Sequence, residues 1–163
     1  MRWLVAGGVA AVGAAVLVAV ARRRFVAVTV VGESMEPSLM HGARILVRRG
    51  GRRARVGDVV VLQPVVAESE IDPGLMVKRV AAVAGDVVPP SVVAAAGTAA
   101  GDRLPPGHVA VLGDNPAESY DSRMWGLVDE RRLVGRSVLR LLDDPGARPD
   151  PVVAAILRGT RMD

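Results

Sequence analysis

The feature that most constrains the fold is a series of short, valine-rich runs separated by glycine, proline and aspartate. β-Branched residues favour extended backbone, and short apolar runs bounded by turn residues are typical of buried strands. The strands expected on this basis are Phe25–Gly32, Arg44–Arg48, Val59–Gln63, Leu75–Val83, a short one beginning at Gly85-Asp86, Val109–Leu112 and Val134–Leu142. Many short strands joined by tight turns predict an all-β domain, either a barrel or a sandwich.

Two segments between these runs have a different character. Residues 89–106 are rich in Ala, Gly and Pro and predict a weakly structured connection. Residues 129–133 predict one helical turn, with Asp129 as its N-cap. Since aromatic residues make up only 2% of the chain, the core must be built from small branched side chains.

The amino-terminal stretch from Trp3 to Ala21 is an unbroken apolar run. Its length is close to the roughly 20 residues that span a bilayer as a helix, which predicts a membrane anchor. Three arginines follow in place of a polar cleavage region, and this favours a retained anchor over a cleaved signal peptide, although small residues suited to cleavage lie near its end. The predicted organisation is an anchor with its basic flank at 1–24, a β-rich domain at 25–142 and a tail with at best a short helix at 143–163.

The basic charge is concentrated in arginine clusters, and the net charge is +4. Nucleic-acid binding would call for interleaved aromatic residues or a recognition motif, and the sequence offers neither, so no nucleic-acid partner is expected. The cluster Arg22–Arg24 adjoins the apolar run and fits attraction to anionic lipid. No metal or organic cofactor is implied.

A serine and a lysine in different predicted strands form the candidate catalytic pair. Ser34 lies where the first strand gives way to a turn, and Lys78 lies in the strand 75–83 between Val77 and Val80. A serine needs a base to become a nucleophile, and a poorly solvated lysine with a lowered pKa can be that base. We therefore predict a Ser34–Lys78 dyad. Taken singly, each residue could instead be a turn hydroxyl or an exposed strand lysine.

Other nucleophile chemistries are less well supported. The chain has no cysteine, so thiolate nucleophiles and cysteine metal sites are excluded. Its two histidines, His41 and His108, each adjoin a glycine in a predicted turn, where a loop role is favoured over membership of a Ser-His-Asp triad.

Four segments, taken in order, resemble the sequence boxes of the type I signal peptidases, the Ser/Lys serine proteases of the S26 type. The segments are residues 32–38 (Gly-Glu-Ser-Met-Glu-Pro-Ser), 57–60 (Gly-Asp-Val-Val), 77–86 (Val-Lys-Arg-Val through Gly-Asp) and 113–126 (Gly-Asp-Asn through Ser-Tyr-Asp-Ser-Arg to Trp-Gly). A Ser-Met pair alone would be a weak signal, but the boxes match together and in the family's order.

The resemblance implies a role for each matching residue. Ser34 would attack the scissile carbonyl and neutral Lys78 would take its proton, with the backbone N–H of Ser34 holding the oxyanion. Ser119 would orient the lysine, the paired charges Asp121 and Arg123 would brace the site, and Met35 would pack beside the dyad. Some members carry a serine donor two residues before the nucleophile, where this chain has Gly32, as in the minimal Gram-positive or actinobacterial form.

The implied substrates are exported preproteins, cut after small side chains in an Ala-X-Ala-like site. Two departures qualify the match: residues 84–107 are too few for the large accessory β-domain of some members, and residues 116–118 replace the usual polar and basic residues of the last box. The implied location is the plasma membrane, with the catalytic domain on the outer face. Arg22–Arg24 oppose that orientation, because the positive-inside rule would place the domain in the cytoplasm.

Three competing interpretations remain. A maturation protease dedicated to one partner would use the same residues. The self-cleaving repressors of the LexA type share the dyad and the β-fold, but they are soluble and carry a DNA-binding domain in place of a spanning helix. An inactive membrane-anchored binding protein would be favoured by loss of Ser34 or Lys78, and both are present.

Overall fold

The computed structural model describes residues 19–20, 22–50, 54–63, 65 and 74–142. Its elements are β1 (Phe25–Thr29), β2 (Arg44–Arg49), β3 (Val59–Leu62), β4 (Met76–Val83), α1 (Val93–Ala96), β5 (His108–Leu112), a 3-10 turn (Pro116–Glu118), α2 (Ser122–Trp125), β6 (Val128–Asp129), a second 3-10 turn (Glu130–Arg132) and β7 (Leu133–Leu142).

The strands form one seven-stranded sheet in the order β1-β2-β7-β3-β4-β5-β6. Every neighbouring pair is antiparallel, and the long strand β7 is inserted between β2 and β3. The all-β class is confirmed. The finer expectation of a barrel or sandwich stays a prediction, since the described strands form a single sheet with β1 and β6 at its edges.

The alternation of side chains along the strands builds a core on each face of the sheet. Val61 and Val77, which are register partners, belong to a cluster that also contains Met35. Val60 and Val80 belong to a second cluster. Because Lys78 is the register partner of Val60, it lies on the face of this second cluster.

Residues 89–106 are more structured than the weak connection expected there, since they contain α1 and contribute buried side chains. The buried side chains of Val88, Val92 and Leu104 pack against Ala82 and Ala110 to form a third core cluster. The strand expected after Gly85-Asp86 is wrong, because the segment makes only a single bridge between Val87 and Arg103. These three aliphatic side chains form a small core, which the high Ala, Gly and Pro content of the segment did not indicate.

The remaining local expectations fall close to the observed elements. The turn capped by Asp129 is confirmed, since its side chain accepts a hydrogen bond from the backbone N–H of Arg131. Within the described residues, no helix is long and apolar enough to cross a membrane. The tail 143–163 lies outside the described residues, and so does the apolar run 3–21 except for positions 19 and 20. The anchor, the tail and the domain boundaries therefore stay predictions.

Candidate active site

Ser34 lies in the turn that follows β1, on a buried base. The next residue, Met35, is only 1% exposed and belongs to the first core cluster. Two backbone hydrogen bonds shape the turn: the N–H of Glu36 donates to the carbonyl of Glu33, and the N–H of Leu39 donates to that of Met35. The buried methionine thus fixes the turn while Ser34 stays at its surface.

Gly32 adopts the left-handed backbone conformation at the start of the turn that contains Ser34. Its φ of 93° lies in the left-handed region, which glycine adopts without steric cost. Its backbone N–H donates to Nδ1 of His41 at 3.1 Å. Among the described hydrogen bonds none uses the backbone N–H of Ser34, which leaves that group available for an oxyanion.

Lys78 meets Ser34 from the neighbouring strand β4. Its Nζ lies 2.8 Å from Oγ of Ser34, although the two residues are 44 positions apart in the chain. Lys78 is 3% exposed, and its register partner is the fully buried Val60. The structure therefore brings together the two residues that the sequence analysis paired.

The surroundings of Lys78 lower its pKa. Burial lowers the pKa of the ammonium, the negative charge of Asp121 raises it, and the positive charge of Arg123 lowers it again; the net direction is downward from the usual value. A lysine with a lowered pKa can accept a proton near neutral pH, which an ordinary lysine does poorly.

Asp121 is the centre of a hydrogen-bonded cluster behind the dyad. It is fully buried, and its Oδ2 accepts hydrogen bonds from Ser119 Oγ at 2.6 Å and from the backbone N–H of Gly113 at 2.8 Å. Arg123 completes the cluster with Nε donating to Oδ1 at 2.9 Å and Nη2 to Oδ2 at 2.5 Å. Burial alone would raise the pKa of Asp121, but these hydrogen bonds hold it below its usual range.

Ser119, Asp121 and Arg123 form one hydrogen-bonded cluster, and the roles that the resemblance implies for them stay predictions. The described hydrogen bond of Ser119 is donated to Asp121. Its expected hydrogen bond to Lys78 stays a prediction. Since Asp121 also caps α2 by accepting from the backbone N–H of Arg123, one carboxylate fixes the helix, the end of β5 and the Ser119 hydroxyl.

Gly113 allows the turn that contains Ser34 to approach β5 closely. It follows Leu112, the register partner of Arg79, so it lies beside Lys78. A Cβ at this position would lie 2.1 Å from Oγ of Ser119 and 2.5 Å from the carbonyl oxygen of Ser34. The next residues continue the contact, since the backbone N–H of Asn115 donates to the same Ser34 carbonyl at 3.0 Å.

An ion pair that the sequence analysis did not assign joins three parts of the site. Nε and Nη2 of Arg79 donate to the two oxygens of Asp114 at 2.8 and 2.6 Å, and Nη1 donates to the carbonyl of Gly57 at 2.9 Å. The hydrogen bond from Arg79 lowers the pKa of Asp114, burial opposes this, and the side chain of Ser38 lowers the pKa further. The pair thus links β4 and the end of β5 to the turn that contains Ser34.

The rarity of lysine in the chain is a further sequence signal for Lys78. Lys78 is the only lysine in the sequence, so the other 20 of the 21 basic residues are arginine. An arginine is effectively always protonated and is a poor general base. A single lysine inside an apolar strand is therefore conspicuous in a chain that otherwise uses arginine for every positive charge.

The histidines take structural positions. His41 accepts from Gly32, and Nδ1 of His108 lies 3.2 Å from the carbonyl oxygen of Pro106. In the part of the chain that the structure describes, no group of three or more histidine, aspartate or glutamate side chains could hold a metal ion. The described partner of the Ser34 hydroxyl is the lysine.

A serine hydroxyl against a buried amine is the arrangement of a hydrolase that uses serine as nucleophile. Comparison with known proteins agrees: residues 2–92 and 91–142 match the family described as signal peptidase, peptidase S26. The chain belongs to this family and is a serine endopeptidase.

Two curated relatives are similar over most of the chain. A protein named Signal peptidase I from Leptolyngbya laminosa is 30% identical over 82% of this chain and 77% of its own length. A protein named Probable signal peptidase I-2 from Synechocystis sp. is 30% identical over 80% of this chain and 70% of its own length.

Proposed function

We propose that this chain removes signal peptides from exported preproteins, with Ser34 as nucleophile and Lys78 as general base. The observation that carries the mechanism is the 2.8 Å contact between Lys78 Nζ and Ser34 Oγ at a lysine that is 3% exposed. Family membership and the two signal peptidase relatives support the substrate class.

In the proposed reaction, the neutral amine of Lys78 takes the hydroxyl proton as Ser34 Oγ attacks the scissile carbonyl carbon. The backbone N–H of Ser34 stabilises the negative charge on the carbonyl oxygen. The lysine then protonates the departing amine, which leaves an acyl-enzyme on Ser34. A water molecule, deprotonated by the same amine, attacks the ester carbonyl, and the resulting ammonium returns the proton to Ser34 Oγ as the C–O bond breaks and the carboxylic acid product leaves.

The proposed cleavage site has small side chains at the first and third positions before the bond, as the resemblance implies. The proposed location is the plasma membrane, with residues 3–21 as a single anchor and the catalytic domain on the outer face. A tag fused after Asp163 tests that orientation. Digestion of the tag by protease added to intact spheroplasts is expected, and its protection would refute an outer domain.

The functional test is cleavage of a preprotein with an Ala-X-Ala site by the full chain in detergent. Wild type is expected to cut after the second alanine, whereas Ser34→Ala and Lys78→Met should lose cleavage while remaining folded. Lys78→Met keeps an unbranched apolar chain in the buried position. Ser91→Ala is the matched control, because Ser91 is an exposed serine in a turn.

The outcomes separate the proposal from its rival. Cleavage that survives both dyad substitutions would show that the site is wrong. A folded wild type that is inert on several such preproteins, yet cuts one partner protein with the same dependence on Ser34 and Lys78, would establish a dedicated maturation protease.

A further inference from the structure

A cavity lined by several charged side chains has neither Ser34 nor Lys78 in its lining. It has a volume of about 430 Å³ and is lined by Arg48, Ala54, Arg55, Val83, Ala84, Glu130 and Arg136. Val83 is five residues beyond Lys78 along β4, a separation of about 17 Å at the usual rise per residue. Arg136 is closer, since it pairs with Val60, the register partner of Lys78, but none of Ser34, Lys78, Ser119 and Asp121 lines the cavity.

Two of its arginines are directly opposed across neighbouring strands. Arg48 of β2 and Arg136 of β7 are register partners in an antiparallel pair. The Cβ atoms of such partners lie about 5 Å apart, and like charges placed in this way destabilise a sheet. An anion held between the two guanidinium groups would remove that repulsion.

The charges around the cavity are only partly balanced by the protein. Nη1 of Arg136 lies 3.3 Å from Oδ2 of Asp58, a carboxylate that also accepts from the backbone N–H of Arg55. None of the described hydrogen bonds or ion pairs involves the guanidinium of Arg48 or of Arg55. With Glu130 counted, the cavity still has an excess of positive charge.

We propose that this cavity binds a phosphate-bearing anion, with Arg48, Arg55 and Arg136 as its ligands. Guanidinium groups match phosphate oxygens with paired, charge-assisted hydrogen bonds, and the volume lies in the range of small-ligand sites. Glu130 offers an acceptor to a hydroxyl or ammonium group next to the phosphate.

The place of the cavity in the chain indicates two sources for such a ligand, a phospholipid headgroup or a free phosphate. Phe25 is the register partner of Arg48, and it directly follows three exposed arginines and the apolar run 3–21. A cavity beside the strand that joins the predicted anchor would be suited to a lipid headgroup. The guanidinium–phosphate chemistry is the same for both sources.

Thermal unfolding of the full chain in an uncharged detergent tests the proposal, since a ligand that binds the folded state raises the unfolding temperature. One arm compares inorganic phosphate with sodium chloride at equal ionic strength. The other compares micelles with and without phosphatidylglycerol. The variants are Arg48→Gln and Arg55→Gln, with Arg49→Gln as matched control, because Arg49 is the next exposed residue of β2 and points to the opposite face.

Wild type and Arg49→Gln should be stabilised, with apparent affinity weakened about tenfold or more in Arg48→Gln and Arg55→Gln. Without ligand, Arg48→Gln should be at least as stable as wild type, because it relieves the repulsion with Arg136. Stabilisation by both probes or by phosphate alone would identify a site for the free anion, and stabilisation by the lipid alone would identify a headgroup site. Absence of any shift, or an equal shift in Arg48→Gln and Arg49→Gln, would overturn the proposal.

Discussion

Replacement of Gly113 by alanine tests whether the close approach of β5 to the turn that contains Ser34 positions the dyad. The added Cβ would lie 2.1 Å from Ser119 Oγ, 2.6 Å from Ser119 Cβ and 2.5 Å from the carbonyl oxygen of Ser34. Ordinary nonbonded contacts lie near 3.5–4 Å, so both neighbours must move by about 1–2 Å. The φ of Gly113 lies outside the left-handed region, so the effect would come from these contacts and not from backbone strain.

The expected consequence is a large loss of activity with a smaller loss of stability. A displacement of about 1 Å in a catalytic group lowers the rate by roughly 100-fold, and overpacking of this kind lowers the free energy of unfolding by about 1–3 kcal/mol. The measurements are kcat and KM on a preprotein-derived peptide, with urea unfolding of the same samples. We expect the change mainly in kcat, because the displaced atoms belong to Ser34 and its support.

Two further variants make the result decisive. Gly74→Ala is the matched control, since a Cβ there meets no atom within 4 Å and its φ is also outside the left-handed region. Adding Ser119→Gly to Gly113→Ala removes the two contacts with Ser119 and leaves the one with the Ser34 carbonyl. Stability should then partly recover while kcat stays low. A kcat for Gly113→Ala within about twofold of Gly74→Ala would refute the positioning role.

Three other predictions follow from the charged groups of the site. Because burial lowers the pKa of Lys78, kcat/KM should rise with pH through a value below the usual lysine pKa of about 10.4. Labelling with ¹³C-lysine gives one side-chain resonance, and its titration should match the pH dependence of kcat/KM. A kcat/KM that is flat between about pH 6 and 10 would contradict the lysine base. Arg79→Gln removes two hydrogen-bond donors from Asp114 and should lower the free energy of unfolding by roughly 1–2 kcal/mol, after allowance for the 34% exposure of the arginine side chain. Arg79→Lys should be about as unstable as Arg79→Gln, because an ammonium cannot make the paired hydrogen bonds of a guanidinium. Asp121→Asn should lower the free energy of unfolding by about 2–3 kcal/mol at neutral pH, because it leaves Arg123 without its carboxylate. The difference from wild type should shrink as pH falls through the lowered pKa of Asp121, since wild type loses the same charge there. A difference in unfolding free energy that does not change with pH in urea unfolding would argue against this ion pair.

The strands and the catalytic pair could be predicted from the sequence because both depend on local patterns. Valine-rich runs bounded by turn residues placed most of the strands within a few residues of their observed ends. Lys78 stood out because it interrupts such a run with an amine, and Ser34 stood out because it follows the first run in a turn. The boxes of the resemblance added Ser119 and Asp121, whose separation from Lys78 along the chain carries no local signal.

The Arg79–Asp114 pair could not be predicted because it depends on strand register. The pairing of β4 with β5 contains an irregularity between Val80 and Ala82, which changes which residues face each other. A shift of one residue moves every side chain to the opposite face of the sheet. Sequence alternation alone therefore cannot predict that the guanidinium of Arg79, next to Lys78, meets the carboxylate of Asp114.

The arrangement around Asp121 solves an electrostatic conflict within the site. A buried carboxylate is needed to hold Gly113 and Ser119 in place, but its negative charge raises the pKa of Lys78 and so favours the protonated form that cannot act as a base. Arg123 pairs with that carboxylate through both of its oxygens, and its own positive charge lowers the pKa of Lys78. The arginine thus lets Asp121 serve as a structural anchor while burial continues to decide the protonation state of the lysine.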